Sequence, residues 1–405
     1  MQPRMATAGH AILGREIVRI VFDRSSNITG HLGAGWSAPE DNLVWTTGDE
    51  SWLMLPGIEV GRPCLLSLSV SPFIHPGAVT RQRVAISVNG FDLSQFSIKS
   101  RSMLVCVVPQ GVISGKTAIC VRLRHPDHAR PVDLPGTLVP DTRSIALGLH
   151  ELTLEELSAE AEHLARDIGG ALRQAAVHVP DEAPDAGFSL RAFQSVGDSC
   201  ELGFVQRHCG VEPISLLRLS TISIANVTRG ILDGFAKIGT PATLEITPPP
   251  DPSDDFGGYD RHYGILYHTG RRAGDVDAET LKQQETRRLK FLARRFMEDL
   301  AMGEQLFVVR RKFPIMPEEI ARLVLAVRQR GPGTVLWVRE ADRMHPPGSA
   351  GYLLPGLMVG YVDRLDVPPL KNISLSSWLI MCRSAHGLWS RRTRPQSRLA
   401  FAAAD

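Results

Sequence analysis

Cys200 is the residue in this chain best placed to do chemistry. It lies in Phe193-Gln194-Ser195-Val196-Gly197-Asp198-Ser199-Cys200-Glu201-Leu202-Gly203-Phe204, where a short apolar run stops at a Gly-Asp-Ser turn and a helical pattern starts. A thiol in the first turn of a helix faces unpaired backbone N–H groups and the positive end of the macrodipole. Both favour the thiolate, which is the nucleophile. Asp198 as N-cap with Glu201 three residues on reads as a capping box, and Gly210 reads as the stop. That register predicts Cys200 at the second helical position. Without a partner base, the default reading of such a cysteine is a small apolar residue packed under a strand–helix turn.

A thiol nucleophile needs a base beside the sulfur and a third group to orient that base. His208 is eight residues on along the same predicted helix and faces elsewhere. His262 and His268 bracket a predicted strand, and His268 at its end is followed by Thr269-Gly270, where an imidazole projects into a cleft. His268 is the first choice for the base and His262 the second; the competing role is a strand-end histidine bonded to a loop carbonyl. Asp363 ends a later predicted strand and falls in the right chain order to orient the base. Its competing role is an ion pair with a neighbouring arginine, and Asp342 is the reserve. The backbone N–H groups at the helix start would serve as oxyanion donors.

Other chemistries find less support. There is no Walker loop and no G-x-G-x-x-G fingerprint, and Cys200, His208 and Cys209 lack zinc-ligand spacing, so neither a cofactor nor a metal is expected. Arg287, Arg288, Lys290, Arg294 and Arg295, with Arg310, Arg311 and Lys312 further on, form a basic zone. A solvated helix face explains it, although an acidic glycan could be steered there. Aromatics are not interleaved with these charges, so no nucleic-acid partner is expected.

The elements that must position these residues read as two domains, the default for 405 residues. Residues 1–150 carry short β-branched runs separated by turn signals, the pattern of an all-β sandwich. Asn89-Gly90 is a hairpin signal. From 153 to 173 the period changes: Leu154, Leu157, Ala161, Leu164, Ile168 and Leu172 recur every three or four residues, and Thr153 with Glu156 predicts the helix start. Residues 151–189 then comprise this helix and an acidic, proline-bearing linker at 177–187. Residues 190–390 alternate strands (193–196, 243–247, 263–268, 306–310, 334–338, 357–362) with helices (199–209, 222–237, 278–302, 317–330, 374–385), which predicts an α/β domain with a largely parallel sheet. The tail, 391–405, reads as disordered.

Net charge is +2, which argues neither for nor against a polyanion. No apolar run is long enough to span a bilayer, and the amino terminus lacks the apolar stretch of a secretory signal. The six cysteines are thinly spread, as for reduced thiols in a cytoplasm, with peripheral attachment to the inner membrane left open.

Three resemblances add expectations. The segment 195–207 around Cys200 resembles the Ser-Leu-Gly-x-x-Cys signature of an uncharacterised bacterial family described as papain-like cysteine peptidases. The likeness continues through Glu212-Pro213-Ile214-Ser215-Leu216-Leu217-Arg218, Tyr263 to Thr269 and Gly360-Tyr361-Val362-Asp363-Arg364, about 190–387. It implies a thiol hydrolase with His268 in the family's later block. Ser215-Leu216-Leu217-Arg218 departs from that family's Pro-Phe-Asp-Trp block. Gly197-Asp198-Ser199 also resembles the first block of the Gly-Asp-Ser-Leu serine hydrolases, and Asp342-Arg343-Met344-His345 is similar to their late Asp-x-x-His block. In that scheme Ser199 is the nucleophile, His345 the base and Asp342 its orienter. Its intervening Gly and Asn blocks are not recognisable, and Cys200 replaces Leu.

The first domain, jelly-roll-like, is similar to β-sandwich modules attached to bacterial polysaccharide glycosyltransferases, through Gly35-Trp36-Ser37-x-Pro39-Glu40, Val44-Trp45-Thr46-x-Gly48, Val88-Asn89-Gly90 and Asp141-x-Arg143. Trp36, Trp45 and Trp52 are candidate glycan platforms, with core packing as the competing role. The combined expectation is a cysteine-dependent hydrolase or acyltransferase linked to surface-polysaccharide metabolism. The rival expectation is a non-catalytic protein that binds a glycan or a glycosyltransferase.

Overall fold

The computed structural model describes residues 13–393 apart from 25, 27, 138, 180–187, 250, 252, 367–369 and 371. Contacts divide the chain into two compact units, with the division between Glu162 and His163.

The first unit is built from nine strands in two antiparallel sheets. One holds β1 (Gly14–Val21), β2 (Val44–Thr47), β4 (Cys64–Pro72), β7 (Ser102–Val108) and β9 (Ile145–Leu157), in the order β1-β9-β4-β7 with β2 also on β9. The other holds β3 (Glu50–Pro56), β5 (Gln82–Val88), β6 (Phe91–Ile98) and β8 (Ala118–Arg124), in the order β3-β8-β5-β6. A short helix, α1 (Gln110–Ile113), precedes β8. Period-two alternation buries Leu53, Leu55, Val84, Val121 and Leu123 while their neighbours stay at least partly exposed, the pattern of a sandwich-like unit. Asn89 and Gly90 close the β5–β6 hairpin with φ of 48° and 80°, the left-handed pair that a tight two-residue turn demands. The Asn89 side chain also donates to Val112 O at 2.8 Å and accepts from Cys120 N at 2.8 Å, tying the turn to two further segments.

The second unit has a five-stranded sheet ordered β10-β15-β16-β18-β17, from β10 (Phe193–Ser195), β15 (Leu306–Arg310), β16 (Thr334–Glu340), β17 (Ala350–Leu354) and β18 (Leu357–Val362). Four strands are parallel; β17 is antiparallel to β18. Its helices are α2 (Ala159–Leu172), within which the division falls, α3 (Glu201–His208), α4 (Ile224–Asp233), α5 (Ala278–Met302), α6 (Pro317–Arg330) and α7 (Leu375–Thr393). A separate antiparallel sheet runs β11-β14-β13-β12, from β11 (Ser220–Thr221), β12 (Leu244–Thr247), β13 (Asp255–Asp260) and β14 (Ile265–Arg272). The helices start where their caps dictate: Asp277 Oδ1 accepts from Thr280 N at 2.9 Å at the head of α5, and α6 begins with Pro317.

Several expectations need correction. The helix placed at 153 starts at Ala159, because β9 continues to Leu157. Leu152, Leu154 and Leu157 are buried as strand residues, held between β1 on one side and β4 on the other, and pairing on both edges outweighs the helical spacing. The largely parallel sheet holds for β10, β15, β16 and β18 only. The strands expected at 243–247 and 263–268 fall in the antiparallel sheet, beside β13, whose Asp-Phe-Gly-Gly-Tyr-Asp sequence carries no β-branched signal. Helix α7 extends to Thr393, past the residue where a disordered tail was expected; 394–405 lie outside the described residues, as does most of the 177–187 linker.

Candidate functional site

The turn after β10 leaves the carboxyl end of a parallel strand, the usual place for ligands in such sheets. Val196 N donates to Val308 O at 2.9 Å and Asp198 N to Ile222 O at 2.8 Å, so the turn is pinned to β15 and to the segment before α4. Gly197 has a φ of 143°, open only to glycine, and a Cβ there would meet Ile222 O at 3.2 Å. Asp198 follows with a φ of 52°, a conformation aspartate tolerates better than most residues.

This geometry corrects the predicted register. Cys200 is the N-cap of α3 and not its second helical residue, and Asp198 is two positions too early to cap. The capping box does not form. Glu201, its expected second member, is fully buried and turned toward other partners: Arg310 Nη2 is 2.6 Å from its Oε2, and Trp378 Nε1 donates to its Oε1 at 3.1 Å. The Arg310 contact is a charge contact and not an aligned hydrogen bond, since Glu201 Oε2 has no donor pointing at it. Ser199 Oγ accepts from Glu201 N at 3.1 Å and so takes up the helix-start donor.

The thiolate expectation is overturned. Burial pushes the Cys200 thiol up from its ordinary range, and the opposing pull of the Arg310 charge and a hydrogen bond with Thr221 does not compensate. The resting group is the neutral thiol, on a residue that is half-buried as a whole. Its neighbour Asp198 is moved too: burial raises its carboxyl to about 6, against the pull of Arg311 and Arg310. Arg311 is itself locked to Glu319 by two hydrogen bonds of 2.8 Å, with its Nε 4.0 Å from Asp198 Oδ2. Arg310 and Arg311 are buried at the end of β15, and the Nε of each lacks a hydrogen-bond partner. These residues around Asp198 were not singled out from sequence as a site. Adjacent arginines ending a strand were the only signal.

His268 lies in β14 opposite Gly257, with its side chain exposed. Thr221, which hydrogen-bonds Cys200, pairs with Leu266, and His268 two residues on shares the Leu266 face of that sheet. His262 sits in the β13–β14 turn, its ring edge-on to Tyr263 at 4.7 Å, with burial pushing its imidazole down. Among the described residues, no hydrogen bond joins an imidazole to Cys200. Asp363 is engaged by Arg364, with Oδ2 at 2.9 Å from Nη1 and Oδ1 accepting from the Arg364 amide, and it ends β18, three strand spacings (~14 Å) from β10. The ion-pair role therefore accounts for Asp363.

Asp342 and His345 do come together: Oδ1 and Nδ1 are 2.8 Å apart, and the imidazole stacks on Tyr361 at 4.4 Å. Burial pushes the Asp342 carboxyl up, but hydrogen bonds from the Met344 amide and His345 outweigh it and leave the group low. This pair follows β16, two strand spacings from β10, and among the described residues no hydrogen bond joins Ser199 to His345.

In the sandwich-like unit, Trp36 donates its indole N–H to Trp52 O at 2.7 Å and stacks on Phe22. Trp45 packs edge-on against Phe73, and Arg122 lies over the Trp52 ring at 5.1 Å. All three rings are half-buried and take part in packing. None of the six cysteines forms a disulfide, no group of described residues has the composition of a metal site, and no described helix is long and apolar enough to cross a membrane.

No protein-family model matches this chain, and neither does any curated protein. The likeness to the cysteine peptidase family therefore rests on the short motifs alone. Solved structures match about a third of the chain. One is a family GH115 4-O-methyl-α-glucuronidase with specificity for decorated arabinogalactans, at 9% identity and a TM-score of 0.23, over 36% of this chain and 18% of that one. Another is a carbohydrate-binding module of family CBM36 in complex with calcium and xylotriose, at 10% identity and 0.21, over 34% of this chain and 99% of that one. A third is the C-terminal CBM6 module of a laminarinase from Zobellia galactanivorans, at 14% and 0.21, over 34% and 98%. The chain thus spans under a fifth of the glucuronidase. Similarity at these TM-scores assigns neither family nor ligand to this protein.

Proposed function

We propose that the second unit carries a thiol-dependent acyl-transfer or hydrolytic site, with Cys200 as nucleophile and His268 as proton acceptor. The observation that carries this reading is the position of Cys200: a half-buried cysteine at a helix start, on a turn shaped by the positive φ of Gly197 and Asp198 at the carboxyl end of a parallel strand. The shared sheet face of Thr221, Leu266 and His268 supports the choice of base. Because burial keeps the thiol neutral, the nucleophile is made by proton transfer when substrate binds, and the α3 amides stabilise the developing oxyanion. Asp363 has no part in this reading.

A panel of activated esters and thioesters tests it. Cys200→Ser is expected to abolish acyl transfer, with His268→Asn lowering kcat by about two to four orders of magnitude and Ser199→Ala leaving it within a few-fold. Turnover by the wild type that survives Cys200→Ser sinks the reading. For the sandwich-like unit we propose glycan contact through Trp45, supported by its partial exposure on β2. Affinity electrophoresis in acidic polysaccharide gels, with Trp45→Ala compared to wild type, decides it; equal retardation refutes it.

A further inference from the structure

Helix α5 presents Arg287, Arg288, Lys290, Arg294 and Arg295 to solvent, against a single exposed carboxylate on the helix beyond its first turn, Glu298. Arg288 is paired with Glu285, and Arg294 only loosely with Glu298, at 3.8 Å. Arg287, Lys290 and Arg295 have no ion pair among the described residues. Phe291 lies among these cations and is 46% exposed, with the Arg294 guanidinium over its ring at 5.7 Å. Phe291 corrects the expectation that no aromatic interleaves these charges. Positions 287, 291, 294 and 295 fall on one stripe at three- and four-residue spacing.

Beside this stripe is an open groove of about 560 Å³, lined by Phe235, Ile238, Ala293 and Met297 and flanked by Lys290 and Arg294, with Glu298 the one carboxylate at its edge. Arg330 at its margin donates Nε to Ile231 O and Nη2 to Leu232 O and adds a further positive charge. A nucleic acid or glycan would meet few hydrogen-bonding partners on this floor, and its hydroxyls would be left unpaired. An aliphatic chain loses nothing there, and a phosphate at its head meets the cations.

We propose that this face of α5 docks on an anionic lipid bilayer, with phosphate headgroups at Arg287, Lys290, Arg294 and Arg295, Phe291 inserted at the interface, and the groove taking an acyl segment. The proposal is independent of the Cys200 reading.

Co-sedimentation of the full chain with vesicles tests it. Binding is expected to vesicles of equal phosphatidylcholine and phosphatidylglycerol, to weaken as salt rises, and to be absent with phosphatidylcholine alone. Each lost cation is worth roughly 5-fold in partitioning, so Lys290→Gln with Arg294→Gln should cost about 25-fold. Phe291→Ser should weaken binding without changing its salt dependence, and Lys99→Glu, in the other unit, should not change it. Circular dichroism checks that each variant folds. No binding to the mixed vesicles, equal binding to both compositions, or binding unchanged in the double variant overturns the proposal. Capture by heparin or DNA without vesicle binding does so as well.

Discussion

Asp198→Asn should make the protein more stable at neutral pH and leave it unchanged in acid. Asp198 is held at about 6 against an ordinary 3.8, with burial the largest cause. A raised carboxyl binds its proton more tightly in the folded state than in the unfolded one. Its contribution is therefore fully present below about 4, falls as pH rises, and is gone above about 6. Two units correspond to roughly 3 kcal/mol, a usable figure because the side chain is only 17% exposed. Asparagine mimics the protonated acid and accepts the left-handed backbone at this position, so the two proteins should match near pH 4 and diverge by about 3 kcal/mol near pH 7. The assay is urea unfolding followed at 222 nm, since every described helix longer than one turn lies at or beyond α2. With a slope of about 1–3 kcal/mol per molar, the variant midpoint should move up by on the order of 1–3 M at pH 7. A difference that stays constant from pH 4 to pH 8 would show that Asp198 ionises normally, and the account of this turn would be wrong.

Cys200 should alkylate with iodoacetamide more slowly than exposed Cys209 at pH 7 and gain on it only in alkaline solution; peptide mapping of the adducts reads this, and a fast Cys200 at neutral pH contradicts the raised thiol. Glu201→Ala leaves Arg310 buried without its charge partner and should cost about 3–5 kcal/mol, measured by denaturant unfolding; a loss under 1 kcal/mol refutes the buried pair. Gly203→Ala places a Cβ 2.3 Å from Arg218 O inside α3, so despite alanine's helix preference it should destabilise by about 1–3 kcal/mol in thermal or urea melts; a stabilised variant refutes the close packing. Asn89→Ala loses two side-chain hydrogen bonds and the left-handed preference, and should cost about 2 kcal/mol by the same measurement; no change would mean the turn relaxes freely.

Much of the secondary structure is readable locally. The bounds of β15, β18, α5 and α6 follow from apolar runs, a Pro at the first helical position and the spacing of Leu289, Leu292, Phe296 and Leu300. The Asn89-Gly90 hairpin follows from one dipeptide. What local pattern misjudged is whatever depends on neighbours: Leu154 and Leu157 fit a helix until two flanking strands claim them, and β13 has no strand signal of its own but is held by β12 and β14.

The candidate site divides in the same way. The position of Cys200 at a strand–turn–helix junction was legible in local sequence, because turn chemistry and helix starts act over a few residues. The ionisation of that thiol, the lifted carboxyl of Asp198 and the choice of Arg310 for Glu201 were decided by tertiary structure alone. Burial and distance set the energy of a charge, and both come from segments distant in the chain, from Thr221 near Cys200 to Arg310 and Arg311 more than a hundred residues on.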